Sequence, residues 1–384
     1  MNSLCFRMNK YYLQIITVVM LCNSAFCFGQ KDKIVKTWYD SSRTFSKDSF
    51  SLAYKHGNWV KQGKCLSYYY NGFLKEKKNY SEGKENGPFE LYYENGTLYQ
   101  KGNYQNGLFE GELNMFYESG NFMEHHFYKN GKLNGTSIGY HQKSDSISFR
   151  IDYENSVANG KWEYYYPGGQ LSEQGTKANG VFNGKYITFH KNGNIHQQYE
   201  YKNGKIDGTF LSFNELSSPL LKCNYVNDSL DGLYETYYNN AAKEYSGIHQ
   251  VTEKGNYQNG KKVGKWQMFY PDGKLYLEGE YMNGTYDGIW HFYYPKGNVK
   301  QIGAYNLGKA TGEWIFYYPN GDVMKKGQYA NDLVEGQWKY YYETGELQAI
   351  IPYKLGERFG LAREYDKSGN VIDSKTFPLD ITPK

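Results

Sequence analysis

A chain of 384 residues that is 39% hydrophobic, with 43 tyrosines and 43 glycines, has too few aliphatic side chains for two or three ordinary globular cores. Its net charge of +4 is spread over interleaved Lys, Arg, Glu and Asp, which argues against a nucleic-acid footprint or a polybasic membrane patch. Apolar mass made largely of amphipathic rings points to a sheet with much surface.

The first segment differs from the rest. Arg7 and Lys10 precede a largely apolar run from Leu13 to Phe28, and polar Lys31-Asp32-Lys33 follows. That order is a Sec-type signal peptide, and the run is short for a membrane span of about 20 residues. Cys22 and Cys27 follow Leu21 and Phe26, not the small residues that a lipoprotein signal needs. No later stretch is apolar enough to cross a membrane, so no transmembrane segment is expected once the signal is cleaved. The exported part keeps Cys65 and Cys223, in repeats far apart, and no disulfide is expected between them.

Residues 31–62 are weakly patterned. Trp38-Tyr39 and Phe50 to Tyr54 suggest an irregular first hairpin that caps an edge. From Gly63 the chain repeats itself. Glycines restart a unit at 63, 87, 111, 135, 160, 184, 208, 232, 264, 288, 312, 336 and 360, in steps of 24 residues broken by one step of 25 and one of 32. Such register is internal repetition.

With the first glycine as position zero, the unit starting at Gly264 has Trp266 at two, Phe269-Tyr270 at five and six, and a Pro-Asp-Gly turn ending at nine. Leu275 follows at eleven, Gly279 at fifteen and Tyr281 at seventeen, before an Asn283-Gly284 turn. Two aromatic-rich strands and two glycine turns leave no room for a helix. A two-residue loop at positions eight and nine would pair seven with ten, six with eleven and two with fifteen. Trp266 would then face Gly279, and Trp162, Trp290 and Trp314 would face Gly175, Gly303 and Gly327, each ring covering bare backbone. Position five, almost always Tyr or Phe, would point to the other face.

The unit at Gly135 has lost its tryptophan (Ser137) and its first turn. The unit at Gly208 has Ser217-Ser218-Pro219 where a turn belongs, and the unit at Gly232 carries eight extra residues after Tyr238. The expected division is a signal peptide at 1–30, a cap at 31–62, partly eroded repeats at 63–240, an insertion at 241–254, regular repeats at 255–371 and a tail at 372–384. The fold class is all-β: an elongated single-layer antiparallel meander of about thirteen 24-residue β-hairpin repeats, twisted and curved.

No HExxH, GxSxG, CxxC or phosphate loop occurs, and the expectation is a chain that is not an enzyme, with no catalytic, metal or cofactor-binding residue. His141 and His190 take the position-six aromatic slot and read as ring substitutes. Glu90, Glu163 and Glu235 recur at position three and read as a solvated row. The binding candidates are the aromatic rows, Trp266, Trp290, Trp314 and Trp338 on one face and Tyr293, Tyr317 and Tyr341 on the other.

The pattern Gly-x-Trp-x-x-Tyr-Tyr-x-x-Gly-x-Leu followed by Gly-x-Tyr-x-Asn-Gly resembles the MORN-repeat variant of bacterial proteins, over roughly residues 60 to 375. The resemblance implies arrays of β-hairpins that act as binding or scaffolding surfaces. Some members of that group are labelled antitoxin components, although an exported chain would not meet an intracellular toxin. A second resemblance, to choline- or glucan-binding hairpin repeats, fits less well, because those units are shorter and lack the regular Asn-Gly. The expected role is an exported protein, in the periplasm, at the cell surface or outside, that binds or scaffolds another protein. The alternatives are a cell-envelope carbohydrate-binding module and an antitoxin-like immunity partner of a toxin. Nucleic acid is not an expected partner.

Overall fold

A computed structural model describes residues 32–239 and 250–378. The signal peptide expected at 1–30, most of the insertion and the end of the tail lie outside the described residues. The chain divides into two compact units. The first runs to Gln170 and takes in Lys177–Gly180, and the second holds Leu171–Thr176 and everything from Val181 on. Within each unit the strands pair antiparallel with their sequence neighbours, and the described residues contain no helix.

The first unit begins with the cap as an irregular hairpin, Lys33–Trp38 against Ser46–Lys55, whose register shifts between Thr37 and Trp38. From there each repeat is a hairpin. The second unit shows it most clearly in Lys261–Phe269, Leu275–Met282 and Thr285–Tyr293. Trp266 pairs with Gly279, Trp290 with Gly303 and Trp314 with Gly327, as the sequence spacing predicts. The turn is not the expected two-residue loop. Tyr270 N–H donates to Lys274 O and Gly273 N–H to Tyr270 O, which encloses three residues. The pairing then slips, with Phe269 opposite Leu275 and Met268 opposite Leu277. The extra loop residue and the bulge cancel, so position two still meets position fifteen.

The second turn is a two-residue loop with both central residues at positive φ, such as Asn283 (52°) and Gly284 (88°), as a type I′ turn requires. The zero-position glycine has a different task. Glu278 pairs with His291 and Glu280 with Asp287, so Gly288, Ile289 and Trp290 together oppose Gly279. Gly288 supplies the positive φ of this bulge (66°). The same three-against-one arrangement recurs opposite Gly255, Gly303 and Gly327.

That bulge decides where the tryptophan goes, and here the structure departs from the sequence reading. The register is as expected, but the ring leans the other way. A Cβ on Gly279 would lie 2.1 Å from the ring of Trp290, and Cβ atoms on Gly255, Gly303 and Gly327 would meet Trp266, Trp314 and Trp338. Each tryptophan therefore covers the glycine of the preceding hairpin, 11 residues earlier. The indole N–H groups of Trp266, Trp290, Trp314 and Trp338 donate to Asn256, Glu280, Ala304 and Gln328 O at 3.2, 3.2, 3.3 and 3.2 Å. Each of these four tryptophans so stitches its own hairpin to the one before.

The variable units preserve the frame. In the unit at Gly135 the extra residue sits in the first turn, closed by His141 N–H to Ser146 O. In the unit at Gly208, Ser217 takes the turn glycine's place at φ 63°, and the Asn214 carboxamide accepts the N–H groups of Leu216 and Ser218. The insertion falls in the sequence where a first turn belongs. Tyr238 N–H donates to Gln250 O and Tyr237 pairs with Val251, so the strands on either side keep register. Val371–Phe377, which takes in the first six residues of the expected tail, is the closing strand of the last hairpin.

Gly303→Ala places a methyl group 2.0 Å from the Trp314 ring and is expected to cost about 1–3 kcal/mol. In urea unfolding followed by circular dichroism, that cost shrinks in a Trp314→Ala background. It stays unchanged in Trp290→Ala, although Trp290 is the residue paired with Gly303.

Candidate binding surface

The sheet's two faces are built differently. Positions two, four, fifteen and seventeen share one. In the second unit Trp290 meets Tyr286 and Tyr281 edge-on with centroids 4.2 and 5.3 Å apart, and Tyr329 meets Trp338 edge-on at 5.2 Å. The Lys262 ammonium lies 3.8 Å from the Trp266 ring centroid. These neighbours close over the indoles with no second layer. Trp266, Trp290, Trp314 and Trp338 are 0, 0, 4 and 1% exposed. Ring edges against ring faces suit the aromatic quadrupole, so this face forms the core. Cys65 and Cys223 belong to its row and are free and buried, and burial pushes the Cys223 thiol up to about 11.

Position fifteen and the next unit's position two behave as a complementary couple. Glycine takes tryptophan in the regular units. Gly175 takes Tyr186, and Tyr199 stacks on Phe210 at 5.1 Å. In the first unit His126 meets Ser137. Its Nδ1 lies 2.9 Å from Ser137 Oγ and its Nε2 2.8 Å from Glu124 Oε2. The sequence reading passed over this Ser-His-Glu chain, although a serine in the tryptophan slot after a histidine in the glycine slot is its signature. Ser137 is 1% exposed. A hydroxyl so enclosed offers no approach to a substrate, and the chain acts as polar filling where the tryptophan is missing. The adjacent His125 faces away, with Nδ1 2.8 Å from Asn114 Oδ1. Among the described residues no group of three or more His, Cys, Asp and Glu converges as metal ligands.

Positions three and five lie on the opposite face. The tyrosine hydroxyls at position five donate to nearby carboxylates: Tyr92 to Glu90 at 2.7 Å, Tyr165 to Glu163 at 2.9 Å, Tyr237 to Glu235 at 2.9 Å and Tyr293 to Glu278 at 3.1 Å. The glutamates read as a solvated row therefore hold rings in place, and Glu90 also pairs with Lys77 at 2.9 Å. Lysine and tyrosine hydrogen bonds keep the Glu90 carboxyl below its usual range.

Position six fastens this face from behind. Its side chain donates to the position-five carbonyl of the next unit: Tyr270 to Tyr293 O at 2.8 Å, Tyr294 to Tyr317 O at 2.8 Å and Tyr318 to Tyr341 O at 2.9 Å. His141 and His190 occupy the same slot and place Nε2 3.0 Å from Tyr165 O and Phe213 O, as ring substitutes should. Tyr293, Tyr317 and Tyr341 are half-buried, with their backbones pinned by a neighbouring hydroxyl. The sequence candidates thus fall into two sets, four tryptophans under cover and three tyrosines that keep accessible surface.

Two open hollows interrupt the second unit. One, of about 220 Å³, is lined by Lys185, Gln198, Tyr199, Glu200, Thr209 and Leu211. The other lies at Tyr353, Arg358 and Phe377.

The MORN repeat variant family matches the chain at seven places, residues 85–106, 158–176, 182–203, 262–283, 286–306, 310–331 and 334–355. Comparison with curated protein sequences finds no match. Among solved structures, the crystal structure of TcdB2-TccC3-TEV is 12% identical over 86% of this chain and 23% of that one, with a TM-score of 0.16. TcdB2-TccC3 without its hypervariable C-terminal region is also 12% identical, over 87% and 23%, with a TM-score of 0.16. The chain spans under a quarter of either, and likeness at that TM-score carries no argument.

Burial, and then the hydrogen bond to Glu278, raise the Tyr293 hydroxyl from 10.0 to about 12. Tyr92 and Tyr237 rise to about 12 for the same reasons, with Glu90 and Glu235 as acceptors. The folded chain holds these protons more tightly than the unfolded chain does. The resulting stability is intact below pH 10 and drains away as pH rises towards 12. Urea midpoints measured across that window are expected to fall, and to fall less steeply in Tyr293→Phe.

Proposed function

We propose that this chain is an exported, non-enzymatic repeat protein of bacterial type that binds another protein through the position-five tyrosine face. One observation carries the reading. Tyr293, Tyr317 and Tyr341 stand on one face in consecutive units, half-exposed, with each carbonyl held by the preceding unit's tyrosine hydroxyl. A backbone held in this way has little freedom left to lose on binding, and tyrosine is among the preferred anchors of protein interfaces. The tryptophans contribute indirectly, by holding the sheet that presents the tyrosines. Export rests on the apolar segment after Arg7 and Lys10. The MORN repeat variant match supports a repeat scaffold. A carbohydrate ligand and an immunity role against a toxin at the envelope are the competing outcomes.

Tyr317→Ala with Tyr341→Ala is expected to abolish capture of a protein from an envelope fraction while the thermal melt stays close to that of the parent chain. Undiminished capture by this double variant contradicts the proposal. Retention on isolated cell-wall glycan that the same variant loses would replace the protein partner with a carbohydrate.

A further inference from the structure

The last described strand of the second unit, Val371–Phe377, pairs on one side with Gly360–Tyr365, with Arg363 opposite Ser374 and Glu364 opposite Asp373. Among the described residues no strand pairs with its other side. Six of its seven residues are exposed, and Val371 and Ile372 are 54 and 61% accessible. An open edge of this kind offers a row of unpaired backbone groups to any strand that fits, and proteins usually blunt such edges with like charges.

The cap strand Lys33–Trp38 is blunted in that way. It carries Lys33 and Lys36 and no acid, and the Lys33 ammonium lies 4.0 Å from the Trp59 ring centroid. Val371–Phe377 is different. Its sequence is VIDSKTF, with one acid and one base flanking Ser374. Laid antiparallel against its own copy with Ser374 on the two-fold axis, the strand sets Asp373 opposite Lys375 of the second copy, and Lys375 opposite Asp373. Ile372 then faces Thr376. A shift by one residue in either direction loses both charge pairs. Opposite charges directly across a strand pair stabilise it and like charges oppose it, so the strand is complementary to itself in a single register.

We infer that Val371–Phe377 is a self-association strand that joins two copies of this chain edge to edge about a two-fold axis at Ser374. Such a contact is isologous and closes at two copies. It is formed by main-chain hydrogen bonds, by the two Asp373–Lys375 pairs and by burial of Ile372. The area is small, so the dimer is weak and reversible.

Sedimentation velocity on the full chain over a range of concentrations tests this. The parent chain is expected to show a reversible monomer–dimer equilibrium. Asp373→Lys sets four lysines around the axis and Lys375→Asp sets four aspartates, and each is expected to weaken the dimer about tenfold or more. An equimolar mixture of the two variants restores both charge pairs and is expected to form a heterodimer. Ser374→Cys is expected to cross-link across the axis under mild oxidation, in preference to Thr376→Cys. All four substitutions fall on exposed side chains, and unchanged melting curves confirm that each variant is folded. A parent chain that stays monomeric at every concentration overturns the inference. So do single charge variants that associate like the parent, or a mixture that stays monomeric.

Discussion

The repeat depends on one contact, an indole laid over a glycine that belongs to the previous hairpin. A sheet with no second layer has no place to bury a large side chain except against itself. Glycine at position fifteen removes a side chain from that face, and the bulge at the zero-position glycine turns the next unit's tryptophan into the gap. The indole N–H then finds a carbonyl beside the same glycine, so burial leaves no polar atom unmatched. Because each tryptophan reaches backwards, the array is held by contacts between neighbouring units, as expected of a quasi-one-dimensional protein.

The same constraint explains the exceptions. A strand residue and the next unit's second residue share one space, and in the regular units the tryptophan on one side is matched by glycine on the other, whereas Tyr199 and Phe210 share it by stacking. Trp with Gly, Tyr with Gly, and Ser with His are solutions to one packing problem. Ile351 followed by Ala362 at the last such step is another. A unit that looks eroded in sequence is thus repacked, and its polar residues are held inside the sheet. The opposite face has no such packing demand. There tyrosines are ordered by carboxylates and by the preceding hairpin's hydroxyls, and their accessible rings are what the scaffold offers to a partner.

Much of this was legible in the sequence. The spacing of glycines and aromatics predicts the hairpins, the two turns, the alternation of faces and the pairing of Trp266 with Gly279. The direction in which the ring leans was not legible. Pairing fixes which Cα atoms are opposite, whereas the side chain's path depends on a bulge that shows in the sequence only as another glycine. The first turn was misjudged for a related reason. A three-residue loop followed by a bulge and a two-residue loop without one give the same partner at position fifteen. The hydrogen bonds from tyrosine to Glu90, Glu163 and Glu235 also escaped notice, because recurrence at position three fits a solvated row equally well. On the candidate surface, sequence found both aromatic rows but could not say which one is covered. That depends on how Tyr281, Tyr286 and Lys262 close over the indoles.

Amide hydrogen exchange on Trp314→Ala tests the central contact most directly. The strand Lys309–Tyr317 lies between Val299–Asn306, which carries Gly303, and Val323–Ala330, which carries Gly327. If each tryptophan holds the preceding hairpin, protection falls most in Val299–Asn306. A larger loss in Val323–Ala330, the strand whose glycine is paired with Trp314, would contradict the account.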